Sequence, residues 1–188
     1  QMCIRDRLAS LREKQVAMGS WRAINTHETL FSEAIALAQD YFFKTYYEYR
    51  CALSLPVILA GSGCLINKEL FSKVGPWDTE IILEDVEYGL RLLMKGYKVA
   101  YVKDAKVYLD VPSTYRSFLI QQSKWAYGSI QLLKKYLKTI ITSNVLPWYK
   151  GVELLTYIAQ YVSSLSLVLL TLVLPIFIIL NIIPSILL

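Results

Sequence analysis

The sequence is poor in histidine and cysteine, two side chains that commonly bind zinc. It contains one histidine and three cysteines among 188 residues. Cys3, Cys51 and Cys64 form no C-x-x-C pair, and their spacing matches no common zinc site. His27 stands near an expected helix start without a second ligand, which favours a cap or surface role. The sequence therefore offers no zinc-binding pattern, and isolated cysteines fit a reducing, cytosol-facing compartment.

Charge is absent from the last part of the chain. Residues 154–188 contain no Asp, Glu, Lys or Arg, and such a run exceeds the roughly 20 residues that cross a bilayer. Pro175 and Pro184 lie within it, and membrane helices tolerate proline. We expect a transmembrane region at 153–188, with one span at about 154–180, a turn at 181–184 and the start of a second span. A buried core helix is the alternative.

The excess of basic residues, which gives a formal net charge of +5, has a definite location. In residues 129–143, Lys134, Lys135 and Lys138 fall off an apolar stripe that consists of Ile130, Leu133, Leu137, Ile140 and Ile141. This pattern is typical of a helix on an anionic membrane surface. Lys150 then precedes the apolar run, so the positive-inside rule places the preceding domain in the cytoplasm. No basic stripe occurs elsewhere, which argues against nucleic-acid binding.

Between residues 25 and 112, helical and strand patterns alternate with short connections. Apolar periodicity predicts helices at 27–49, at 68–74 and from residue 84 towards Gly96, and strands at 57–60, 64–66, 97–102 and 105–109. Asn25 and Thr26 offer a cap for the first helix, and a further helix starts at Ser113 or Thr114 and is interrupted at Gly128. This order predicts an α/β fold.

Three carboxylates, Glu84, Asp85 and Glu87, stand at the start of one predicted helix. Carboxylates are common there, because they complement free backbone N–H groups and the positive end of the helix dipole. They could equally provide acid–base chemistry. Further along, Gln121, Lys124 and Trp125 are spaced i, i+3 and i+4, which puts an amide, a cation and an aromatic ring on one helix face. A helical Trp often only packs, so both sets remain open between structural and chemical roles.

The ordered motifs together resemble the second half of a membrane-bound family 2 glycosyltransferase, of the cellulose-synthase-like or glucomannan-synthase-like kind. In order they are MGSW at 18–21, GSG at 61–63, VGPWD at 74–78, LED at 83–85 and QQSKW at 121–125. The amphipathic helix and the apolar run follow them. The resemblance implies the C-terminal half of a GT-A (nucleotide-diphospho-sugar transferase) domain, followed by an interface helix and a transmembrane helix.

The resemblance also implies roles for single residues. The aspartate of the family's T-E-D motif is the catalytic base, and it matches Asp85. Glu84, the residue before it, is expected to bind substrate. In the Q-x-x-R-W motif, the tryptophan stacks on the acceptor sugar and matches Trp125. The glutamine and arginine contact the nucleotide diphosphate and match Gln121 and Lys124. Lysine keeps the charge but lacks the planar fork that holds phosphate bidentately.

The turn at Gly61, Ser62 and Gly63 is also placed with the substrate-binding residues, because its glycines allow the backbone to approach a ligand. Leu83 replaces the threonine of T-E-D, so a hydroxyl is absent there. An inverting transfer needs a base for the acceptor hydroxyl and positive charge for the departing diphosphate. Asp85 is expected to be ionised at neutral pH, because the helix dipole favours the anion. Glu84 and Glu87 are expected to be supporting or solvated neighbours.

The family's metal-binding D-x-D pair would precede residue 18, and no D-x-D occurs in this chain. We therefore expect no metal site here, and a divalent ion, Mg²⁺ or Mn²⁺, held in the full-length protein by residues outside this chain. Residues 1–7, QMCIRDR, resemble translated adapter sequence and are expected to be a non-native leader, although a native basic tip is the alternative. Residues 8–112 are then the C-terminal part of the catalytic domain, and 113–152 carry the QxxKW and interface helices.

The expected activity is inverting transfer of a hexosyl unit from a nucleotide sugar to a glycan or lipid acceptor. It would belong to a multi-pass membrane protein with a cytoplasmic catalytic part, and the isolated chain is expected to be inactive without its donor-binding half. A non-catalytic, membrane-anchored scaffold or subunit with the same fold is the alternative. A channel or transporter is weaker, because no ionisable residue lies in the apolar run.

Overall fold

The computed structural model describes residues 16–179, with side chains as far as Phe177. The expected leader at 1–7, the turn at 181–184 and the second apolar segment lie outside the described residues. The strands are β1 (Val16–Ala23), β2 (Cys64–Ile66) and β3 (Ala100–Leu109). The helices are α1 (Leu30–Phe42), continued by a π-helical segment (Phe43–Glu48), and α2 (Tyr49–Ala52), α3 (Lys68–Val74), α4 (Glu84–Met94), α5 (Tyr115–Ile141), α6 (Trp148–Ile158) and α7 (Gln160–Ile179).

The three strands form one mixed sheet in the order β2-β1-β3. β1 pairs antiparallel with β2 and parallel with β3. The β1–β3 register shifts after Gly19, which pairs with Val102, whereas Ser20 pairs with Lys106. A Cβ on Gly19 would overlap the backbone carbonyl of Ala105. Glycine is therefore required where the two backbones approach most closely at this bulge.

Helix α4 lies at the centre of the packing, because its two sides belong to two different apolar clusters. Tyr88 and Leu92 join the cluster formed with the sheet and the π-helical segment, which also contains Met18, Phe43 and Tyr47. Val86, Leu90 and Leu93 join the cluster formed with α5 and α6, which also contains Leu132, Tyr136, Ile140, Leu154 and Ile158. Helix α4 is therefore enclosed between the two clusters, because it carries apolar residues on both sides.

Several predicted elements are confirmed and others are corrected. β2, α3 with Gly75 after it, and α4 with Gly96 in a left-handed conformation match the predicted ranges. The predicted strands at 97–102 and 105–109 form the single strand β3. Residues 57–59 are buried but not a strand, because they run against α4: a Cβ on Gly89 would lie 2.8 Å from the Leu59 nitrogen.

The first long helix starts later than predicted. Thr29, and not Asn25 or Thr26, caps α1 through a reciprocal pair of hydrogen bonds with Ser32. The Asn25 side chain instead donates to the Val111 carbonyl oxygen and accepts from the Val111 N–H, at 2.9 Å each. Asn25 therefore links the ends of β1 and β3, although the local sequence pattern predicts it as a helix cap.

The predicted interruption at Gly128 is wrong, because α5 runs without a break for 27 residues. Gly128 is there for close packing: a Cβ would lie 2.5 Å from Leu83 Cγ. The predicted apolar stripe also splits. Ile140 is buried together with Leu132 and Tyr136, whereas Ile130, Leu137 and Ile141 are exposed. Much of the amphipathic character of this helix therefore serves packing within the protein.

The apolar run is divided between two helices that meet at Ala159. Leu154 and Ile158 of α6 are buried in the second cluster, so the long apolar helix α7 begins only at Gln160. Within the described residues, α7 alone is long and apolar enough to cross a membrane, over Gln160–Phe177. Its side chains from residue 162 to 177 are exposed, and Pro175 lies inside it.

Two glycines make a matched test of this packing. Gly19→Ala should destabilise the protein by about 1–3 kcal/mol, because the new methyl group meets backbone that cannot rotate away. Gly151→Ala in α6 should be neutral or stabilising by up to about 1 kcal/mol, because alanine favours helix and its Cβ would lie 3.4 Å from Ile140. Unfolding temperatures of the full-length protein in detergent measure both, and equal values would contradict the bulge assignment.

Candidate active site

One cavity of about 370 Å³ brings together residues that are far apart in the sequence. Asp85 reaches it from α4, and Gln121 and Trp125 reach it from α5. Its other walls come from β1, α1, the end of β3, α5 and the junction of α6 and α7, including Trp21, Gln39, Asp110, Gln122, Tyr157 and Tyr161. The cavity is therefore mostly apolar and aromatic, with a few converging polar groups, as ligand-binding sites commonly are.

Asp85 is held at the cavity by backbone donors. It is the second residue of α4, and its Oδ2 accepts a hydrogen bond from the Gly61 N–H. Burial raises the pKa of Asp85, while hydrogen bonds from the Gly61 and Val86 N–H groups lower it in part. The helix start was expected to dominate the electrostatics, but burial is the larger influence. The result is a more basic carboxylate than an exposed aspartate.

The Gly61–Ser62–Gly63 turn contacts Asp85 on one side and β1 on the other. The Ser62 carbonyl accepts from Trp21 Nε1 at 2.7 Å, and the Gly63 carbonyl accepts from the Gly19 N–H at 3.0 Å. None of the three turn residues lines the cavity, although Ala60 just before them does. The structure thus places the turn as a scaffold that links β1 to Asp85, and substrate contact by the turn stays a prediction.

Two further predicted residues lie away from the cavity wall. Lys124 is on the same helix as Gln121 and Trp125, but it is exposed and does not line the cavity. Glu84 is likewise exposed beside Asp85. Glu87 is neither solvated nor in the cavity: it is fully buried and faces α5. The sequence alone could not reveal this, because residues one or two positions apart on a helix point to different faces.

The sequence pattern missed the aromatic wall contributed by the apolar run. Tyr161 donates to Gln122 Oε1 at 2.7 Å, and Tyr157 stacks on Tyr46 with ring centroids 4.6 Å apart. Burial is the largest of the effects that raise the pKa of Tyr157, so its hydroxyl remains a neutral donor. The available signal was two tyrosines at spacing i, i+4 within an uncharged segment. The same pattern is equally consistent with a lipid-facing helix.

Gln39 was also missed, and its side chain has an unusual environment. It lines the cavity, and its Nε2 is buried without a hydrogen-bond partner among residues 16–179. A buried amide without a partner costs about 1–3 kcal/mol. No periodicity argument distinguishes this position from the apolar residues around it in α1.

A larger and more open depression of about 540 Å³ lies between α1 and the sheet. It contains none of the predicted site residues, and four of its charged side chains pair with each other as Arg22–Asp40 and Lys103–Glu48. Across the described part of the chain, no group of three His, Cys, Asp or Glu side chains could hold a metal ion. These residues therefore do not fit a divalent metal site, and metal binding outside this chain stays a prediction.

The chain matches the family described as Glycosyl transferase family group 2 over residues 1–181. This chain therefore belongs to that family, and the resemblance inferred from the motifs is confirmed. The fold and the family together define a family 2 transferase domain of mixed α/β content with one apolar C-terminal helix.

The curated relatives give more particular names. The chain is 31% identical over 137 residues to a "Probable glycosyltransferase" of Sulfolobus acidocaldarius, covering 73% of this chain and 29% of the relative. It is 25% identical over 135 residues to "Glucomannan 4-beta-mannosyltransferase 1" of Oryza sativa subsp. japonica, covering 72% of this chain and 26% of the relative. It is 26% identical over 132 residues to "Glucomannan 4-beta-mannosyltransferase 2" of Arabidopsis thaliana, covering 70% and 25%. The chain thus spans less than a third of the length of these relatives.

Two glutamines of the cavity wall should respond oppositely to replacement by leucine. Gln39→Leu should leave stability unchanged or raise it by about 1 kcal/mol, because it removes an unsatisfied buried amide. Gln122→Leu should lower stability by about 1 kcal/mol, because it leaves the Tyr161 hydroxyl without its acceptor. Thermal unfolding of the full-length protein in detergent compares them. A larger loss for Gln39→Leu than for Gln122→Leu would show that Gln39 has a partner.

Proposed function

We propose that the full-length protein transfers a hexosyl unit, with inversion, from a nucleotide sugar to a glycan or glycolipid acceptor at the cytoplasmic membrane face. The observation that carries the proposal is the shared cavity: a half-buried carboxylate, Asp85, faces the same space as Trp125 and Gln121. A volume of about 370 Å³ lies within the range of roughly 300–1,000 Å³ typical of small-molecule sites. The family membership supports glycosyl transfer as the reaction class.

In this mechanism Asp85 acts as the base. The acceptor hydroxyl oxygen attacks the anomeric carbon, its proton passes to Asp85, and the bond between that carbon and the diphosphate oxygen breaks with its electron pair leaving on the diphosphate. Attack from the face opposite the leaving group inverts the configuration. Because burial raises the pKa of Asp85, the carboxylate accepts the proton more readily than an exposed aspartate would.

The remaining cavity residues position the two substrates. Trp125 offers an aromatic face on which an acceptor sugar ring can stack, and Gln121 beside it is an amide donor for the diphosphate. Lys124, exposed on the adjacent helix surface, supplies a point charge to the leaving group when the donor is bound. Mg²⁺ or Mn²⁺ bound by residues outside this chain would add further positive charge there. The names of the plant relatives make a 4-β-mannosyl transfer the first activity to assay.

The apolar helix after the site supports membrane attachment. α7 would cross the bilayer, and the exposed Ile130, Leu137 and Ile141 with Lys134 and Lys138 would face its anionic surface. Lysines before the span support a cytoplasmic catalytic part by the positive-inside rule. Because the cavity wall includes Tyr157 and Tyr161, the acceptor would bind close to the membrane, in a multi-pass full-length protein.

Asp85→Asn in the full-length protein should reduce kcat by at least about 10²-fold, because an amide cannot accept the proton. Nucleotide binding should remain. Glu33→Gln is the matched control, since Glu33 is an exposed carboxylate in the first turn of α1. Radiolabelled sugar transfer in membranes and nucleotide binding in detergent measure the two effects. Near-normal turnover by Asp85→Asn would reject Asp85 as the base, whereas absence of transfer by the wild type would support a non-catalytic scaffold.

The pH dependence of transfer should carry the signature of a buried base. Asp85 must be ionised, so kcat/KM should fall as the pH drops through its pKa. Because burial raises that pKa, the acidic limb should lie above the ordinary aspartate value of about 3.9. A rate profile measured across the acidic range tests this. An acidic limb at or below the ordinary value would contradict burial as the dominant influence on Asp85.

A further inference from the structure

The base and the stacking residue of the proposed reaction stand on different helices. Asp85 belongs to the first turn of α4, and Trp125 belongs to the middle of α5. Both line the cavity, so the distance between them depends on how α5 is held against α4 and against the segment before it. The face of α5 that carries Trp125 continues through Gly128, Gln131 and Lys135, at helical spacings of three and four residues.

Gln131 holds the backbone just ahead of α4. Its Oε1 accepts from the Ile82 N–H at 3.0 Å, and its Nε2 donates to the Glu80 carbonyl at 2.9 Å. One side-chain amide thus satisfies both a donor and an acceptor of the segment that leads into Asp85. Leu83, the next residue of that segment, packs against Gly128 one turn earlier on α5.

Lys135 holds α4 itself through a buried carboxylate. Its Nζ donates to Glu87 Oε1 at 2.7 Å and to Asp78 Oδ2 at 2.6 Å. The Tyr136 hydroxyl donates to the same Glu87 oxygen at 2.5 Å, and Arg91 Nε donates to Glu87 Oε2 at 2.9 Å. Both oxygens of a fully buried carboxylate are therefore satisfied, two residues after Asp85.

Such a network permits one arrangement of the two helices. Apolar contacts tolerate sliding, but sliding α5 along α4 would remove Lys135 and Tyr136 from the buried Glu87 carboxylate. Only Arg91 of α4 would be left as a donor, at a large cost in free energy. Lys135 lies ten residues from Trp125, about 15 Å along the helix, so a tilt of about 4° about Lys135 would move Trp125 by about 1 Å. Displacements of that size cost about 10²-fold in rate when they misalign reacting groups.

We infer that Gln131 and Lys135 are positioning residues, which set the distance between Asp85 and Trp125 by fastening α5 to the start of α4 and to the buried Glu87. The inference rests on the proposed function, because it concerns the geometry of that reaction. Neither residue lines the cavity, so their effect on transfer is exerted through Asp85 and Trp125 and not through the substrates.

The test uses the full-length protein in membranes with Lys135→Met and Gln131→Met. Both should lower kcat about tenfold or more, while the donor KM stays within about twofold, because the donor contacts remain. Lys135→Arg should recover a large part of the rate, since a guanidinium can still reach both carboxylates. Lys98→Met is the matched control and should match the wild type, because Lys98 is exposed and, within residues 16–179, forms no ion pair.

Two outcomes would overturn the inference. One is turnover by both methionine variants within about twofold of Lys98→Met. The other is a loss of rate that disappears when kcat is expressed per folded molecule, with unfolding temperature and donor binding reduced together. If Lys135→Met does not accumulate, Gln131→Met decides the question, because it removes two neutral hydrogen bonds and no charge. Absence of transfer by the wild type would instead reject the proposed function, and normal transfer by Asp85→Asn would reject Asp85 as its base.

Discussion

The enclosure of helix α4 is the constraint on which the rest of the structure depends. One side of the helix packs on the sheet and the π-helical segment, and the other packs on α5 and α6. Gly89 lets the Leu59 backbone come close, and Gly128 lets α5 come close to Leu83. Because packing on both sides fixes the helix, the Asp85 carboxylate at its start has a defined position. The cavity forms around that end of the helix.

The pKa of Asp85 results from two opposed effects of this placement. Removing the side chain from water raises its pKa, and the N–H groups of Gly61 and Val86 lower it in part. A proton acceptor needs such a balance, because a strongly stabilised anion is a poor base and an unstabilised one is protonated. The Gly61–Gly63 turn contributes to this balance although it lies outside the cavity wall, since β1 holds it through Trp21 and Gly19.

Local signals in the sequence were sufficient where local energetics decide the structure. β2, α3 and α4 lie where the apolar pattern predicted them, because Gly75 and Gly96 mark the ends of the two helices. Local signals failed where a tertiary contact competes with them. Asn25 clamps Val111 and does not cap α1, and Gly128 accommodates Leu83 and does not end a helix. The buried segment at 57–59 was read as a strand, because an apolar run does not show whether its partner is a strand or a helix.

The sequence by itself determined the family, the identity of the ordered motifs and the presence of one long uncharged helix, because these depend only on residue type and spacing. Only the tertiary structure decided which of those residues meet. It brings Asp85, Gln121 and Trp125 to one cavity and leaves Lys124 and Glu84 on the surface. It also turns Glu87 inward to Lys135 and adds Tyr157 and Tyr161 to the wall. Adjacent residues of a helix point in different directions, so their environments depend on what packs against each face.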